Sequence, residues 1–307
     1  ALGVAACGDD DDDGGDGGGD ASGELIESNP DNSGVELTVG SKNFTEALIL
    51  GEIYAQALEA AGYSVNTDLN LGSEQVALKA LQQGEISGYP EYTSTALTSF
   101  FNKTADEVPA ESQAAYEDAK AELESEGLTA FAPTPFADSN AVGMLTSRAE
   151  ELDVTTVSDL EGKSQDLVLA GSPECRQRVD CLVGLQDVYG LQFKEFTPVD
   201  IELRYPVLDD GEADLSILFT SDANLAASDQ YTLLEDDQGI FPAGNVIWIT
   251  DQQVVEEAGP DYQTTIEKVQ EGLSLEVMQE LNSRVDLDKE EPAAVATQYL
   301  QESGYVE

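Results

Sequence analysis

The segment Gly84–Thr95 carries side chains that suit the recognition of a small polar ligand. Tyr92 supplies an aromatic face, and Thr93 and Thr95 supply hydroxyl groups shortly after Pro90. Because proline disfavours helical geometry in the residue before it, a new helix is expected to begin after this turn, with Thr93 or Thr95 as its N-cap. The free N–H groups at a helix N-terminus attract anions. The segment therefore predicts an aromatic wall beside an anion-binding position.

The patterns upstream of this segment indicate the elements that hold it. Val35–Val39 alternates as a strand does, Gly40–Asn43 has the composition of a loop, and the apolar residues between Leu48 and Leu58 recur at helical spacing. This strand, loop and helix begin an α/β lobe. Lys42 and Tyr92 are both expected on loops at the carboxyl ends of strands, where α/β sheets bind ligands.

A similar arrangement recurs in the second half of the chain. Tyr205-Pro206 and the turn Gly211–Asp214 lead into the short apolar run Leu215–Phe219. Both halves thus place a Gly-acid turn, a short strand and an aromatic residue in the same order. We expect two lobes that face each other with Tyr92 and Phe219 across a cleft.

Length and composition favour a globular protein with two lobes. The chain has 307 residues, of which 41% are hydrophobic. Thirteen basic and sixty-two acidic residues give a formal charge of −49, which repels nucleic acids and anionic lipid surfaces and excludes a nucleic-acid partner. The acidic residues are interpreted either as ordinary solvated faces or as a halophilic surface adapted to high salt, where screening weakens the self-repulsion.

Several common signatures of enzymes and metal sites are absent from the sequence. It has no histidine, which is the commonest general base and metal ligand. It also lacks a G-x-S-x-G elbow, a G-x-x-x-x-G-K-[ST] loop and a C-x-x-C pair. We therefore expect neither catalysis nor a metal or cofactor.

The N-terminal residues read as a targeting segment followed by a tether. Residues 1–7 have the composition of a signal-peptide remnant, and Val4–Cys7 resembles a bacterial lipobox whose Cys7 would be lipidated. The alternative is an ordinary secretory signal with an incidental cysteine. Residues 8–33 are rich in Gly and Asp with almost no apolar side chain, which predicts a disordered acidic linker.

Several runs in the body of the chain resemble the glycine betaine, choline and osmoprotectant binding proteins of ABC importers. The resemblance covers residues 35–305 in order and is carried by Val39–Glu46, Asn70–Gly72, Tyr89–Thr95, Arg178–Asp180, Gly184-Leu185, Tyr189-Gly190, Phe219–Asp222, Leu234–Asp237 and Phe241-Pro242. It implies a type II periplasmic-binding-protein fold with a sheet flanked by helices in each lobe and the ligand in the cleft between them. We expect lobe I to comprise residues 34–137 and 245–307, and lobe II residues 138–244.

The resemblance also implies the residues of a ligand site. Lys42, Thr95 and Arg178 match positions that bind a ligand carboxylate, and Tyr92 matches one ring of an aromatic cage for a quaternary ammonium group. Phe219 stands where a second cage tyrosine is expected.

Two further cage tyrosines of the family are missing. Asn140 stands at the position of one, and the segment Pro242–Gly244 lacks the other. The sequence therefore predicts two cage rings, with Asp138 able to meet a protonated amine instead. Trp248 is interpreted either as a replacement ring or as a core residue.

Cys175 and Cys181 are the two cysteines that remain if Cys7 is lipidated. Outside the reducing cytoplasm such a pair is expected to form a disulfide. The bond would fix the loop that presents Arg178.

The resemblance predicts a monomeric, lipid-anchored receptor on the outer face of the cytoplasmic membrane. It would deliver a zwitterion or quaternary ammonium compound, such as glycine betaine, choline or carnitine, to an ABC permease and its ATPase. Two alternatives stay open at this point. The same fold could bind a different amine or an amino-acid-like ligand, or it could act as an extracytoplasmic sensor.

Overall fold

The computed structural model describes residues 24–307 of the chain, so Cys7 and the predicted lipobox lie outside the described residues. Within this part the fold is mixed α/β, with two sheets flanked by helices, as predicted. The strands are β1 Glu36–Gly40, β2 Ser64–Asp68, β3 Gly88–Tyr92, β4 Leu128–Ala130, β5 Ala137–Asp138, β6 Asn140–Leu145, β7 Val168–Gly171, β8 Glu195–Pro198, β9 Leu215–Phe219, β10 Tyr231–Leu233 and β11 Gly244–Asp251.

Helices cover both sheets and contribute most of the residues after β11. Their bounds are α1 Thr45–Ala60, α2 Glu74–Gln82, α3 Thr93–Thr95, α4 Ser112–Ser125, α5 Thr146–Leu152, α6 Leu182–Asp187, α7 Pro206–Asp209, α8 Ala223–Ala227, α9 Gln252–Ala258, α10 Pro260–Gln270, α11 Leu275–Asp286 and α12 Pro292–Glu302. No helix among residues 24–307 combines the length and the apolar character that crossing a lipid bilayer requires.

The first sheet has the strand order β2-β1-β3-β11-β4, and β5 also pairs with β11. Strand β1 runs parallel to β2 and β3, whereas β11 runs antiparallel to β3, β4 and β5. Helix α1 packs on this sheet because Ile49, Ile53 and Ala57 recur every four residues and are fully buried. The loop that carries Lys42 lies between β1 and α1, as the sequence predicted.

The second sheet has the order β10-β6-β9-β7-β8. Strand β7 runs parallel to β8 and β9, and β6 runs antiparallel to β9 and β10. Its separate core contains Val142, Leu169 and Leu215, each fully buried. Each sheet thus has a hydrophobic core of its own, which is what a two-lobed receptor requires.

Two crossings between the sheets lie side by side. Residues Ala137 and Asp138 of β5 pair with Asn245 and Gly244 of β11. The predicted lobe boundaries fall in these two paired segments. The division into lobes I and II at these residues stays a prediction.

Trp248 is a core residue and does not reach the cavity described below. It is fully buried in β11, its indole Nε1 donates to the Tyr262 hydroxyl at 2.8 Å, and its ring packs edge-on against Tyr54. Gly88 on the neighbouring strand makes this packing possible, because a Cβ there would lie 2.5 Å from the indole ring. Of the two interpretations of Trp248, the structure supports the core residue.

The last residues of the predicted linker contact the folded body of the protein, while the boundary at residue 33 stays a prediction. Ile26 is 9% exposed and its N–H donates to the Tyr305 carbonyl at 2.9 Å. Asn32 is buried, and its side chain donates to the Ala61 carbonyl. Ile26 contributes an apolar contact and Asn32 a hydrogen bond. These two residues are outnumbered by Gly and Asp in residues 8–33, so the average composition of the segment did not indicate the contacts.

Candidate functional site

A cavity of about 190 Å³ lies between the carboxyl ends of strands from the two sheets. All seven residues that the sequence predicted as ligand contacts line it: Lys42, Tyr92, Thr95, Asp138, Asn140, Arg178 and Phe219. Their roles in binding remain predictions. The parallel strands β1, β3 and β7 place the loops of Lys42, Thr95 and Arg178 at this edge, which is where α/β sheets present ligand-binding side chains.

Lys42 is nearly buried and lies against two aromatic rings. Its Nζ lies 4.5 Å from the ring centroid of Tyr92 and 5.4 Å from that of Phe44. It also forms an ion pair with Glu91, a fully buried carboxylate on β3. Lys42 therefore occupies part of the aromatic surface that the resemblance assigned to the ligand.

Among the residues that the structure describes, four aromatic rings line the cavity, not the two that the sequence predicted. Phe44 and Phe241 accompany Tyr92 and Phe219. The ring centroid of Phe44 lies 6.2 Å from that of Tyr92 and 5.4 Å from that of Phe219. Both missed residues stood inside runs that carried the resemblance, but the search for tyrosines at fixed positions passed over them.

The hydroxyl group of Tyr92 is hydrogen-bonded to the buried carboxylate of Glu46. The hydroxyl donates to Glu46 Oε1 at 2.5 Å, and the side-chain amide of Asn282 donates to Glu46 Oε2 at 2.9 Å. Burial raises the pKa of the Glu46 carboxyl above its ordinary value. This contact fixes the orientation of the Tyr92 ring.

The helix after Tyr92 begins differently from the prediction. Helix α3 starts at Thr93 with Tyr92 as its N-cap, and no side chain caps it. Thr95 lies within the helix, where its Oγ1 is 3.5 Å from Arg178 Nη2. The hydroxyl of Thr95 therefore faces Arg178 and does not cap the helix.

Asp138 contributes a buried carboxyl group that changes its protonation state near neutral pH. Its Oδ1 accepts from the Thr220 hydroxyl at 2.8 Å and from the Ser221 N–H at 3.0 Å. Burial, together with the charges of Glu46 and Asp222, raises the pKa of Asp138 to about 7. A cation bound beside it would favour the ionised form.

Arg178 is held by acidic residues on both sides. Its Nε and Nη2 donate to the two carboxylate oxygens of Asp180 at 2.8 and 2.5 Å, and its Nη1 lies 3.4 Å from Glu74 Oε1. Asn140 acts on the same group indirectly, because its side-chain amide donates to the backbone carbonyl of Asp180 at 3.0 Å. Asn140 thus helps to position Asp180, the residue that pairs with Arg178.

Arg204 lines the cavity and was not predicted. Its guanidinium carbon lies 3.9 Å from the ring centroid of Phe219, its Nη2 donates to Asp222 at 2.9 Å, and its Nε donates to the Ile201 carbonyl at 2.8 Å. One signal was available, since the sequence has only thirteen basic residues and one of them immediately precedes Tyr205-Pro206.

Cys175 and Cys181 form a disulfide in the loop that carries Arg178, with 5.2 Å between their Cα atoms. Both residues are buried and line the cavity. The covalent bond closes the short segment on either side of Arg178 and limits the positions that its backbone can reach.

Comparisons with known proteins agree with this architecture. Residues 35–302 match the family described as the substrate binding domain of ABC-type glycine betaine transport systems. A glycine-betaine-binding protein of Pseudomonas aeruginosa is 31% identical over 277 residues, which cover 87% of each chain. A crystal structure described as a glycine betaine/carnitine/choline ABC transporter superposes with a TM-score of 0.67 and 25% identity, over 86% of this chain and 97% of that one. A chemotactic signal transduction system substrate-binding protein of Halobacterium salinarum is 23% identical over 88% of this chain and 84% of its own.

Proposed function

The chain belongs to the substrate-binding domains of ABC-type glycine betaine transport systems, and we propose that its cavity binds a small quaternary ammonium or zwitterionic compound of the glycine betaine, choline and carnitine type. The family and the type II periplasmic-binding-protein fold that the sequence predicted are confirmed. The relatives are solute-binding proteins of transport systems, which supports the expectation that this chain is not an enzyme.

The observation that carries the proposal is the combination of four rings with the buried carboxylate of Asp138 in one cavity. A quaternary ammonium group cannot donate strong hydrogen bonds, so its receptor stabilises it with aromatic faces at about 0.5–2 kcal/mol each. Asp138 adds a counter-charge. Lys42 supplies donors for an oxygen at the other end of the ligand.

A thermal-shift panel at high salt tests the ligand class. Choline, glycine betaine, carnitine, ectoine and free amino acids are compared, with 3,3-dimethyl-1-butanol as the uncharged isostere of choline. A ligand present at a hundred times its Kd adds about 2.7 kcal/mol to the free energy of unfolding. We expect a quaternary ammonium compound to raise Tm and the neutral isostere to have no effect. Equal shifts for choline and its isostere would contradict recognition of the positive charge.

We further propose that the receptor is a monomer anchored outside the cytoplasm through a lipid on Cys7 and works with a membrane permease and its ATPase. The lipobox-like Val4–Cys7 and the acidic Gly/Asp tract after it support the anchor. Cys7→Ser is expected to release the protein into the medium or to leave it unprocessed. If this variant is processed and still partitions with membranes as the wild type does, the anchor is wrong.

A second candidate function is signalling without transport. It is favoured by the relative in Halobacterium salinarum, which is described as part of a chemotactic system. Deletion of the chain should abolish uptake of the radiolabelled ligand if it serves an importer. Loss of the chemotactic response with normal uptake would favour the sensor.

A further inference from the structure

The guanidinium group of Arg178 already has a carboxylate on each of its two ends. Asp180 accepts two hydrogen bonds from the edge formed by Nε and Nη2, and Glu74 lies 3.4 Å from Nη1. A carboxylate binds a guanidinium best through two parallel hydrogen bonds along one edge. A ligand carboxylate that approaches Arg178 must therefore displace Glu74 or share Nη1 with it.

The position of Glu74 makes its displacement costly. Glu74 is the first residue of α2, is 7% exposed and lines the cavity. The N-terminus of a helix stabilises a negative charge. Moving the side chain away from Arg178 would also leave a buried carboxylate without its cation, which is unfavourable.

The other charges around the cavity act in the same direction. Asp138, Glu174 and Asp200 line it together with Glu74 and Asp180, so that within residues 24–307 five acidic side chains face three basic ones. Such a lining attracts a cation and repels a carboxylate, and the effect is strengthened where water is excluded. Lys42, one of the three basic residues, is itself paired with Glu91.

We propose that Glu74 takes the place of a ligand carboxylate against Arg178 and makes this receptor prefer cations that carry no carboxylate over zwitterions. This inference depends on the proposed function and narrows its ligand class. Choline and glycine betaine are the appropriate probes, because both carry a trimethylammonium group and they differ in having a hydroxyl or a carboxylate at the other end.

The experiment measures Kd for choline and glycine betaine by calorimetry in the wild type, Glu74→Gln and Glu174→Gln. Glu174→Gln is the matched control, since it removes the same charge from another position on the cavity wall. We expect the wild type to bind choline about tenfold more tightly than glycine betaine. This ratio corresponds to the free energy of one hydrogen bond to a charged group, which the carboxylate of glycine betaine cannot make freely with Arg178. Glu74→Gln should remove most of this preference, whereas Glu174→Gln should reduce it only by the smaller share that one other charge of the lining contributes.

The outcomes distinguish a failure of the role of Glu74 from a failure of the proposed function. If Glu74→Gln leaves the ratio of the two Kd values unchanged, or shifts it no more than Glu174→Gln does, the role of Glu74 is refuted while the proposed function stands. If neither probe binds the wild type or a variant, the proposed function fails, and the inference fails with it. Glu74→Asp keeps the charge and should keep the choline preference, which separates the charge from a general disturbance of α2.

Discussion

On each wall of the cavity a cation lies against an aromatic ring and pairs with a buried carboxylate. The wall from the first sheet has Lys42 over Tyr92, with Glu91 as the anion. The wall from the second sheet has Arg204 over Phe219, with Asp222 as the anion. The two walls thus share the same three kinds of group.

The two cations differ in the N–H donors that remain available to a ligand. A lysine ammonium group has three N–H donors, and within residues 24–307 Lys42 donates only to Glu91. Arg204 uses Nε on Ile201 and Nη2 on Asp222, while its Nη1 is buried without a partner among the same residues. Lys42 thus keeps two donors and Arg204 keeps Nη1. We predict that Lys42 serves the ligand oxygen and that Arg204 mainly supports Phe219, because Arg204 is stacked on that ring and tied to Ile201 and Asp222.

The largest effect is expected at Arg178, where the two walls meet through Glu74 and Thr95. Arg178→Ala leaves Glu74 and Asp180 as buried carboxylates without their cation, which typically costs 3–5 kcal/mol. Denaturant unfolding should show a loss on this scale. Arg148→Ala is the control, because Arg148 pairs with the exposed Glu151 and the half-buried Asp214 near the surface and should cost less than about 1 kcal/mol. Equal losses for the two variants would show that the contacts of Arg178 add nothing.

The second prediction separates the two walls directly. Replacing both members of an ion pair avoids leaving a buried charge unpaired. Lys42→Met with Glu91→Gln should weaken binding of choline or glycine betaine by about 1.5–3 kcal/mol, or roughly 10- to 150-fold, because the donor to the ligand oxygen is lost. Arg204→Met with Asp222→Asn should change Kd by less than about threefold. Calorimetry that gave the larger loss for the Arg204 pair would reverse the assignment.

The sequence was informative about residues at the carboxyl ends of strands, although Tyr92, which was expected on a loop, is the last residue of β3. Alternation in Val35–Val39 located the strand before Lys42, and the short apolar run Leu215–Phe219 predicted the strand that ends in Phe219. Because the carboxyl ends of strands meet at one edge, Lys42, Tyr92 and Phe219 were expected near one another, and all three line the cavity. Asn140 and Asp138 were also placed there, at the crossing between the sheets. Their place in the site was implied by the resemblance to the family, whereas local pattern predicted only the strand that begins there.

The sequence did not predict which charged residues of the cavity pair with each other. Glu74 and Arg178 lie far apart in the chain, as do Lys42 and Glu91, and only the folded arrangement brings them together. The resemblance implied that Lys42 and Arg178 bind a ligand carboxylate but gave no sign that each is also paired with a carboxylate of the protein. The stacking of Arg204 on Phe219 depends in the same way on tertiary contacts.

Asp138 gives a prediction of intermediate size that concerns pH. Its pKa of about 7 in the folded protein exceeds the ordinary value of 3.8, so the folded state binds this proton more tightly and loses stability as pH rises from about 4 to 7. Asp138→Asn should therefore raise Tm more at pH 8 than at pH 4.5.

The same group should make ligand binding depend on pH. Because a bound cation favours ionised Asp138, affinity for choline should rise by at most about tenfold between pH 6 and pH 8 in the wild type, with release of a proton, and stay flat in Asp138→Asn. Calorimetry in two buffers of different ionisation enthalpy detects the proton. A flat profile in the wild type would place the ligand cation away from Asp138.

The smallest effect is expected from adding a ring to the second wall. Asn140 faces the cavity but donates to the Asp180 carbonyl, so Asn140→Tyr gains an aromatic face and loses one hydrogen bond. Asn140→Leu loses the same hydrogen bond without gaining a ring, which makes it the matched control. A further aromatic contact with a cation at a partly exposed site adds about 0.5–1 kcal/mol, so the tyrosine variant should bind choline about two- to fivefold more tightly than the leucine variant. The difference should vanish for 3,3-dimethyl-1-butanol, because the uncharged isostere has no cation to place against the ring. If both variants bind choline equally, the trimethylammonium group lies nearer to Tyr92 and Phe44 than to the position of Asn140, and recognition of the ligand belongs mainly to the first wall.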